Sequence, residues 1–308
     1  MKLANIICSI ILAVSVMAFA GFYIHQKITA DVDGPVIEMD NEEIEVSIED
    51  DETVLLRGIT ATDATDGNVT DSLVIESISG FDEDMKRTVR IAAFDKDNHV
   101  TKTTRVITYS DYTPIRYSIR AALKYPCLQG DINILGRVYA KDCLDGDISK
   151  NIMFSEGSMV NTDKTGDYDV VLTVTNSAGD TEELPLVVTI YDDAKQSYAP
   201  VIVLSKYLIY IKQGEKLEPA DYIAGIEYRG ANYEITDGEG TFGIDTGNMT
   251  QEQKEALSSQ NPSVSKSLFR ITDNVDYNKS GSYTIQYEID DSEGFHDSVM
   301  LTVIVEGA

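Results

Sequence analysis

Residues 166–179, GDYDVVLTVTNSAG, decide how the fold is read. Tyr168, Val170, Leu172 and Val174 alternate with Asp169, Val171 and Thr173, so the segment has one apolar face at a period of two, the signature of a half-buried strand. It stops at Asn176-Ser177-Ala178-Gly179, where Asn and Gly tolerate the backbone of a tight turn. The same order occurs twice more. Val89, Ile91 and Ala93 alternate with Thr88, Arg90 and Ala92 ahead of Asp95-Lys96-Asp97-Asn98; Tyr283, Ile285, Tyr287 and Ile289 alternate with Thr284, Gln286 and Glu288 ahead of Asp290-Asp291-Ser292-Glu293-Gly294. Another alternating run follows the turn, as in Val299, Leu301, Val303 and Val305, which predicts a hairpin closing each of three units.

The spacing upstream of these strands also repeats. Pro35 is followed 31 residues later by Asp66-Gly67-Asn68-Val69-Thr70, and Pro114 is followed 31 residues later by Asp145-Gly146-Asp147-Ile148-Ser149. Units of about 80 residues with short strands and no helical stretch in the first two copies predict antiparallel sandwiches, since a parallel sheet needs crossover helices. The pattern restarts at 109–114 and at 192–200. This predicts a linker at 25–33 and domains at 34–110, 111–193 and 198–308. The third unit carries an insertion at about 228–266, because Gly166 and Gly281 lie 115 residues apart. Within it, Thr250-Gln251-Glu252-Gln253 is a capping-box pattern opening a short helix through Leu257. The insertion is expected to be removable without unfolding the rest.

Taken together, these motifs resemble a known family. Gly130-Asp131, Asp142 with Asp145 to Ser149, Gly166-Asp167-Tyr168, and Asn176 with Ala178-Gly179 are similar to the bacterial immunoglobulin-like domain shared by insecticidal crystal proteins and many Gram-positive surface proteins. Unit one keeps Asp63 and Asp66 to Thr70 but has Met85 and Arg87 where Gly and Tyr are expected, and Asn98 for the turn Gly. Unit three keeps Gly214-Glu215, Gly281-Ser282-Tyr283 and Glu293-Gly294 but lacks the Asp-Gly-Asp element. The resemblance implies a seven-stranded or similar sandwich with an extracellular structural or binding role, and no chemistry. The fold class expected is all-β: three tandem immunoglobulin-like β-sandwiches after one N-terminal transmembrane helix.

That helix is read from composition. From Leu3 to Ile24 every residue is apolar or small except Asn5, Ser9 and Ser15, and 22 residues at 1.5 Å each reach roughly 33 Å, about the hydrocarbon thickness. Ala18-Phe19-Ala20 before Gly21 also has the form of a signal-peptidase site, but Phe22, Tyr23 and Ile24 extend the apolar run where a polar region is expected. Either reading exports the remainder, and the anchor reading predicts a single-pass protein of the cell membrane with its C-terminal domains outside. Beyond residue 30 the chain holds 52 acidic against 23 basic side chains, a net charge of −29. That excludes nucleic acid, which needs a basic footprint. The chain has three His, three Cys and no Trp, and neither a Gly-x-Ser-x-Gly elbow nor a Cys/His or Ser/His set, so no enzyme is expected.

The site candidates follow from residue type. Asp63, Asp66 and Asn68, and Asp142, Asp145 and Asp147, gather oxygens within six residues and are the candidate calcium ligands; calcium is the one cofactor considered. The competing reading is turn chemistry, in which Asp and Asn bond their own backbone. Cys127 and Cys143 flank an expected strand from Asp131 to Ala140 and are read as two buried thiols, because bridged Cα atoms lie within about 7 Å. His99 and His296 sit at equivalent places after hairpin turns, a position for surface residues. Tyr207, Tyr210, Tyr222, Tyr228 and Tyr233 cluster beside the insertion, and Tyr228 and Tyr233 are the candidate binding residues. The partners expected are an extracellular protein or glycan, and the membrane through the N-terminal helix. The function expected is a surface adhesion or interaction protein; the alternatives are a purely structural envelope spacer and a secreted carbohydrate-binding module.

Overall fold

The computed structural model describes residues 2–29, 33–192, 198–243 and 248–307. Residues 30–32 of the expected linker, 193–197 at the expected second boundary and 244–247 of the insertion lie outside the described residues. Helix α1 (Lys2–Thr29) runs unbroken past Gly21. Its stretch Ile7–His25 is long and apolar enough to cross a membrane, and its side chains are exposed. Everything after it is predominantly β.

The chain divides into two compact units, Met1–Tyr112 and Thr113–Ala308. In the first, β1 (Val36–Met39), β3 (Ile59–Asp63) and β4 (Gly67–Asn68) form a sheet in the order β1-β3-β4. A second sheet, β2-β7-β6-β5, is built from β2 (Glu43–Val46), β5 (Val74–Ile78), β6 (Arg87–Phe94) and β7 (Val100–Tyr109). The other unit opens with β8 (Arg116–Ile119), β10 (Val138–Asp142) and β11 (Gly146–Asp147) in one sheet. Beside it lie β9 (Lys124–Pro126), β12 (Met153–Phe154), β13 (Gly166–Thr175) and β14 (Thr181–Tyr191), ordered β12-β13-β14-β9. It continues with β15 (Val201–Leu204), β17 (Ile223–Tyr228), β18 (Ala231–Thr236) and β19 (Ser263–Ser265) in one sheet. The last sheet, β16-β22-β21-β20, holds β16 (Leu208–Lys212), β20 (Arg270–Asp273), β21 (Gly281–Asp290) and β22 (His296–Glu306).

The three expected hairpins are β6–β7, β13–β14 and β21–β22, with continuous antiparallel registers. Their inward residues follow the alternation: Val89, Ile91, Ala93, Val170, Leu172, Val174, Ile285, Tyr287 and Ile289 are all buried. Each such aliphatic side chain contributes about 1.5–3 kcal/mol on burial, so the period-two face is what holds the hairpin to the core. Purely antiparallel pairing does not hold. A short strand joins each closing strand in parallel: β2 on β7, β9 on β14 and β16 on β22. No crossover helix is needed, because strands of the other sheet lie between each pair in sequence.

Two further expectations are corrected. Residues 131–140 are not one strand: Leu135–Arg137 is a 3-10 turn, and the strand begins only at Val138. The insertion is not separable either. It supplies β18, β19 and the buried Phe242 and Val264, which share a core cluster with Ile226 and Tyr287. Its helix α2 (Gln251–Ser258) forms with the expected capping box, Thr250 Oγ1 accepting from Gln253 N–H at 3.3 Å and Gln253 Oε1 from Thr250 N–H at 2.9 Å.

Within Thr113–Ala308 the sheets are fused. Leu208 of β16 is buried in the cluster that holds Tyr117 and Leu186, while Tyr207, Tyr210 and Ile304 pack against that same cluster. Tyr210 OH accepts from Tyr117 N–H at 2.9 Å, and the Arg116 guanidinium lies 4.4 Å from the Tyr210 ring centre and pairs with Glu306. At the centre of this junction Asp297, 1% exposed, takes the Lys124 ammonium on Oδ1 and Ile202 N–H at 2.8 Å on Oδ2. Two of the five clustered tyrosines, Tyr207 and Tyr210, therefore cement sheets together.

Candidate functional site

The six oxygen-bearing candidates lie on two loops of matching design. Asp63 Oδ1 accepts from Thr65 and Asp66 N–H at 2.8 and 2.9 Å, and Asp142 Oδ2 accepts from Leu144 and Asp145 N–H at 2.7 and 2.8 Å. Asn68 Oδ1 takes Thr70 N–H at 2.9 Å, and Asp147 Oδ1 takes Ser149 N–H at 3.0 Å. Asp66 and Asp145 reach out to the closing hairpin: Asp66 binds Lys96 N–H and its ammonium, both at 2.8 Å, and Asp145 binds Ser177 N–H at 2.6 Å and its hydroxyl at 2.7 Å. Those contacts hold the Asp66 carboxyl below the usual carboxylate range, the Lys96 hydrogen bonds being the chief cause. Gly67 and Gly146 adopt φ of 75° and 74°, which is why the loop carries Gly there. The oxygens thus face backbone amides, and among the described residues no three His, Cys, Asp or Glu side chains converge as a metal site. Adding millimolar calcium to the full chain is expected to leave its thermal midpoint unchanged within about 1 °C; a rise of several degrees would assign the loops to the metal.

A second device recurs at all three hairpin turns, and the sequence reading missed it. Asp95, Asn176 and Asp291 are buried, and the Oδ1 of each accepts the N–H four residues on: His99, Asp180 and Phe295, at 2.8, 3.0 and 2.8 Å. The signal was there as an Asp or Asn at one register of each turn. What the second side-chain atom does differs among the three. Asp95 Oδ2 meets His99 Nδ1 at 2.7 Å, Asn176 Nδ2 donates to Asp142 at 3.0 Å, and Asp291 Oδ2 accepts from the Tyr228 hydroxyl at 2.8 Å.

This last contact places Tyr228 in a cleft of about 650 Å³, with Tyr233 beside it. The two rings meet edge to face with centres 6.2 Å apart, and both lean on the buried Phe242, at 5.1 and 5.6 Å. Burial and then the hydrogen bond to Asp291 push the Tyr228 phenol up to about 12, so at neutral pH it is a fixed donor to Asp291. Helix α2 forms another wall with Lys254 and Leu257, and Gln260 and Ser292 also line the opening. The β17–β18 turn at the rim is the two residues Arg229-Gly230, both at positive φ, 49° and 80°. Arg229 lies 4.9 Å from the Tyr228 ring centre and pairs with Glu293 at 2.6 Å. The structure thus brings both predicted tyrosines together and adds Arg229, Lys254 and Asp291.

The remaining candidates stay apart from this cleft. Cys127 and Cys143 are unbridged and half-buried, less buried than expected; Cys127 packs on the core beside Tyr125, and the Cys143 thiol lies 3.2 Å from the Thr113 carbonyl oxygen. His99 is half-buried on Asp95, while His296 is exposed and bonded to Asp290 at 2.9 Å. Tyr222 is half-buried against the core of Tyr287.

No family model matches the chain. It is 30% identical over 155 residues to the pesticidal crystal protein Cry22Aa of Bacillus thuringiensis, a stretch that covers 50% of this chain and 16% of that protein. Among solved structures, the M60 catalytic domain with two CBM51 domains from Clostridium perfringens ZmpB is 12% identical with a TM-score of 0.22, covering 89% of this chain and 31% of that one. The protocadherin GammaB4 extracellular domain is 13% identical with a TM-score of 0.21, covering 90% of this chain and 50% of that one.

Proposed function

We propose that this protein is a membrane-anchored, non-catalytic interaction protein whose three immunoglobulin-like sandwiches lie outside the membrane and which takes its ligand in the Tyr228–Tyr233 cleft. The cleft carries the reading. Two half-buried aromatic rings, held by a buried core residue and a buried carboxylate, form a pre-set surface at the third hairpin turn, where the first two turns spend the same anchor on structure. The lining is mixed: the two rings, Leu257 and Pro262 face polar side chains such as Lys254 and Gln260, so a ligand there meets both ring faces and hydrogen-bonding groups. The exposed apolar stretch Ile7–His25, long enough to cross a membrane, is what supports the anchor. The partition of the core into three clusters, each drawing on two sheets, supports three sandwiches, two of them fused.

The test joins location to binding. Cell fractionation is expected to leave the full chain in the membrane with its original amino terminus, and a mature start at Gly21 would favour a secreted module. In a glycan and protein screen of the full chain in detergent, replacing Tyr228 and Tyr233 by Leu is expected to lower binding at least tenfold. Binding that survives both replacements would leave the cleft without a role.

A further inference from the structure

We infer that the Tyr228–Tyr233 cleft selects a small ring-bearing ligand with one anionic group, the class of an acidic monosaccharide unit, and that Arg229 sets this preference. The inference rests on reading the cleft as the binding site. It starts from a backbone anomaly. A two-residue hairpin turn with positive φ at both positions is the natural place for Asn-Gly or Asp-Gly, whereas position 229 holds Arg at φ 49°. Strain of that kind persists where the side chain is wanted. Here it fixes a guanidinium over the face of a cleft tyrosine, 4.9 Å from the ring centre.

Arg229 is also free to change partners. Its pairing with Glu293 joins side chains that are 51% and 54% exposed, so water screens it and a ligand anion can replace the carboxylate at little loss. Across the cleft Lys254 is exposed, and among the described residues no ion pair engages it. Among the described residues the one carboxylate lining the cleft, Asp291, is consumed by Glu293 N–H, Phe295 N–H and the Tyr228 hydroxyl. Among the described residues, then, the cleft of a chain of net charge −27 offers one uncommitted charge, the Lys254 ammonium, and one exchangeable charge, the Arg229 guanidinium. The chain's long-range field repels a polyanion, so the fitting ligand bears its charge singly. The tyrosine rings suit the apolar face of a sugar ring, and Gln260 and Ser292 offer partners for hydroxyls.

Methyl glucuronide and methyl glucoside share a ring and differ in the carboxylate, so titrating each into the full chain in detergent, followed by ligand-observed NMR, isolates the charge. The glucuronide is expected to bind at least tenfold more tightly. Arg229→Gly suits the turn and should unfold at the same or a higher temperature, yet bring the two sugars within about twofold of each other. Tyr233→Leu should weaken both together. Equal affinities in the parent chain, both reduced by Tyr233→Leu, would overturn the anion preference while leaving the cleft as the site. A preference that persists in Arg229→Gly would overturn the role of Arg229. Binding of neither sugar, or binding indifferent to Tyr233→Leu, would overturn this inference and the cleft reading alike.

Discussion

Arg105→Ala destabilises the Met1–Tyr112 unit by about 3–5 kcal/mol, a large part of what a domain of this size possesses, and is read as an earlier transition of that unit in denaturant. Arg105 is the bulkiest side chain buried to this degree, at 1% exposure. It sits on β7 opposite Val89, where the corresponding pairs in the other two hairpins are Leu186 opposite Val170 and Leu301 opposite Ile285. Its guanidinium is a clamp: Nε donates to the Asn41 carbonyl at 3.0 Å, and Nη1 to the Leu55 and Arg57 carbonyls at 3.0 and 2.8 Å. Burial pulls its pKa below the ordinary value, with nearby Asp40 opposing. Truncation empties a core position and strips three carbonyls of their donor. Arg105→Leu refills the volume as the sister hairpins do, so its loss is expected to be smaller, about 1–2 kcal/mol, from the carbonyls alone. A leucine variant more stable than the parent would show that the clamp is tolerated rather than required, as is known for other buried charges.

Asp297→Ala is expected to cost the Thr113–Ala308 unit about 3–5 kcal/mol, because it strands the Lys124 ammonium and the Ile202 N–H at once. Lys124, whose side chain is 14% exposed, keeps an ammonium with its counter-charge gone, and Ile202 loses the acceptor of its N–H. Lys124→Met should be comparably harmful, since it leaves the carboxylate in the junction without its cation. The double variant Lys124→Met with Asp297→Val is the diagnostic one: it is expected to lose less than the sum of the single changes, as coupled residues do. Simple additivity would mean that the pair does not join the two sets of sheets. Because Asp297 is the second residue of β22, just after the turn that presents Asp291, the same lock fixes the strand behind the cleft.

Local signals were legible because they act within a few residues. The period-two runs became β6, β13 and β21; the Asp-Gly loops became backbone-capping turns; and Thr250 with Gln253 became a capping box. Asn98 standing where the other turns carry Gly was readable too, since it adopts φ 65° beside Gly179 at 84° and Gly294 at 85°. Of the cleft, only Tyr228 and Tyr233 were visible, from their place beside an insertion. Nothing in the local sequence sets Arg229 apart from the other basic residues, or Asp291 from the other acids in a chain with 52 of them.

By itself, then, the sequence determined the apolar helix, the β-rich repeat with its turns and the acidic character of everything after the helix. These follow from side-chain polarity at fixed spacing along the chain. Tertiary structure decided what each polar residue is for. Arg105 shares its strand face with Ile107, and nothing local reveals that carbonyls from positions 41, 55 and 57 receive it. Asp297 becomes a lock only when a lysine 173 positions away meets it in a place closed to water, and Asp291 becomes part of a site only when Tyr228 folds onto it. Long-range proximity sets the partner and the local dielectric, and those two quantities separate a solvated charge from a structural or functional one.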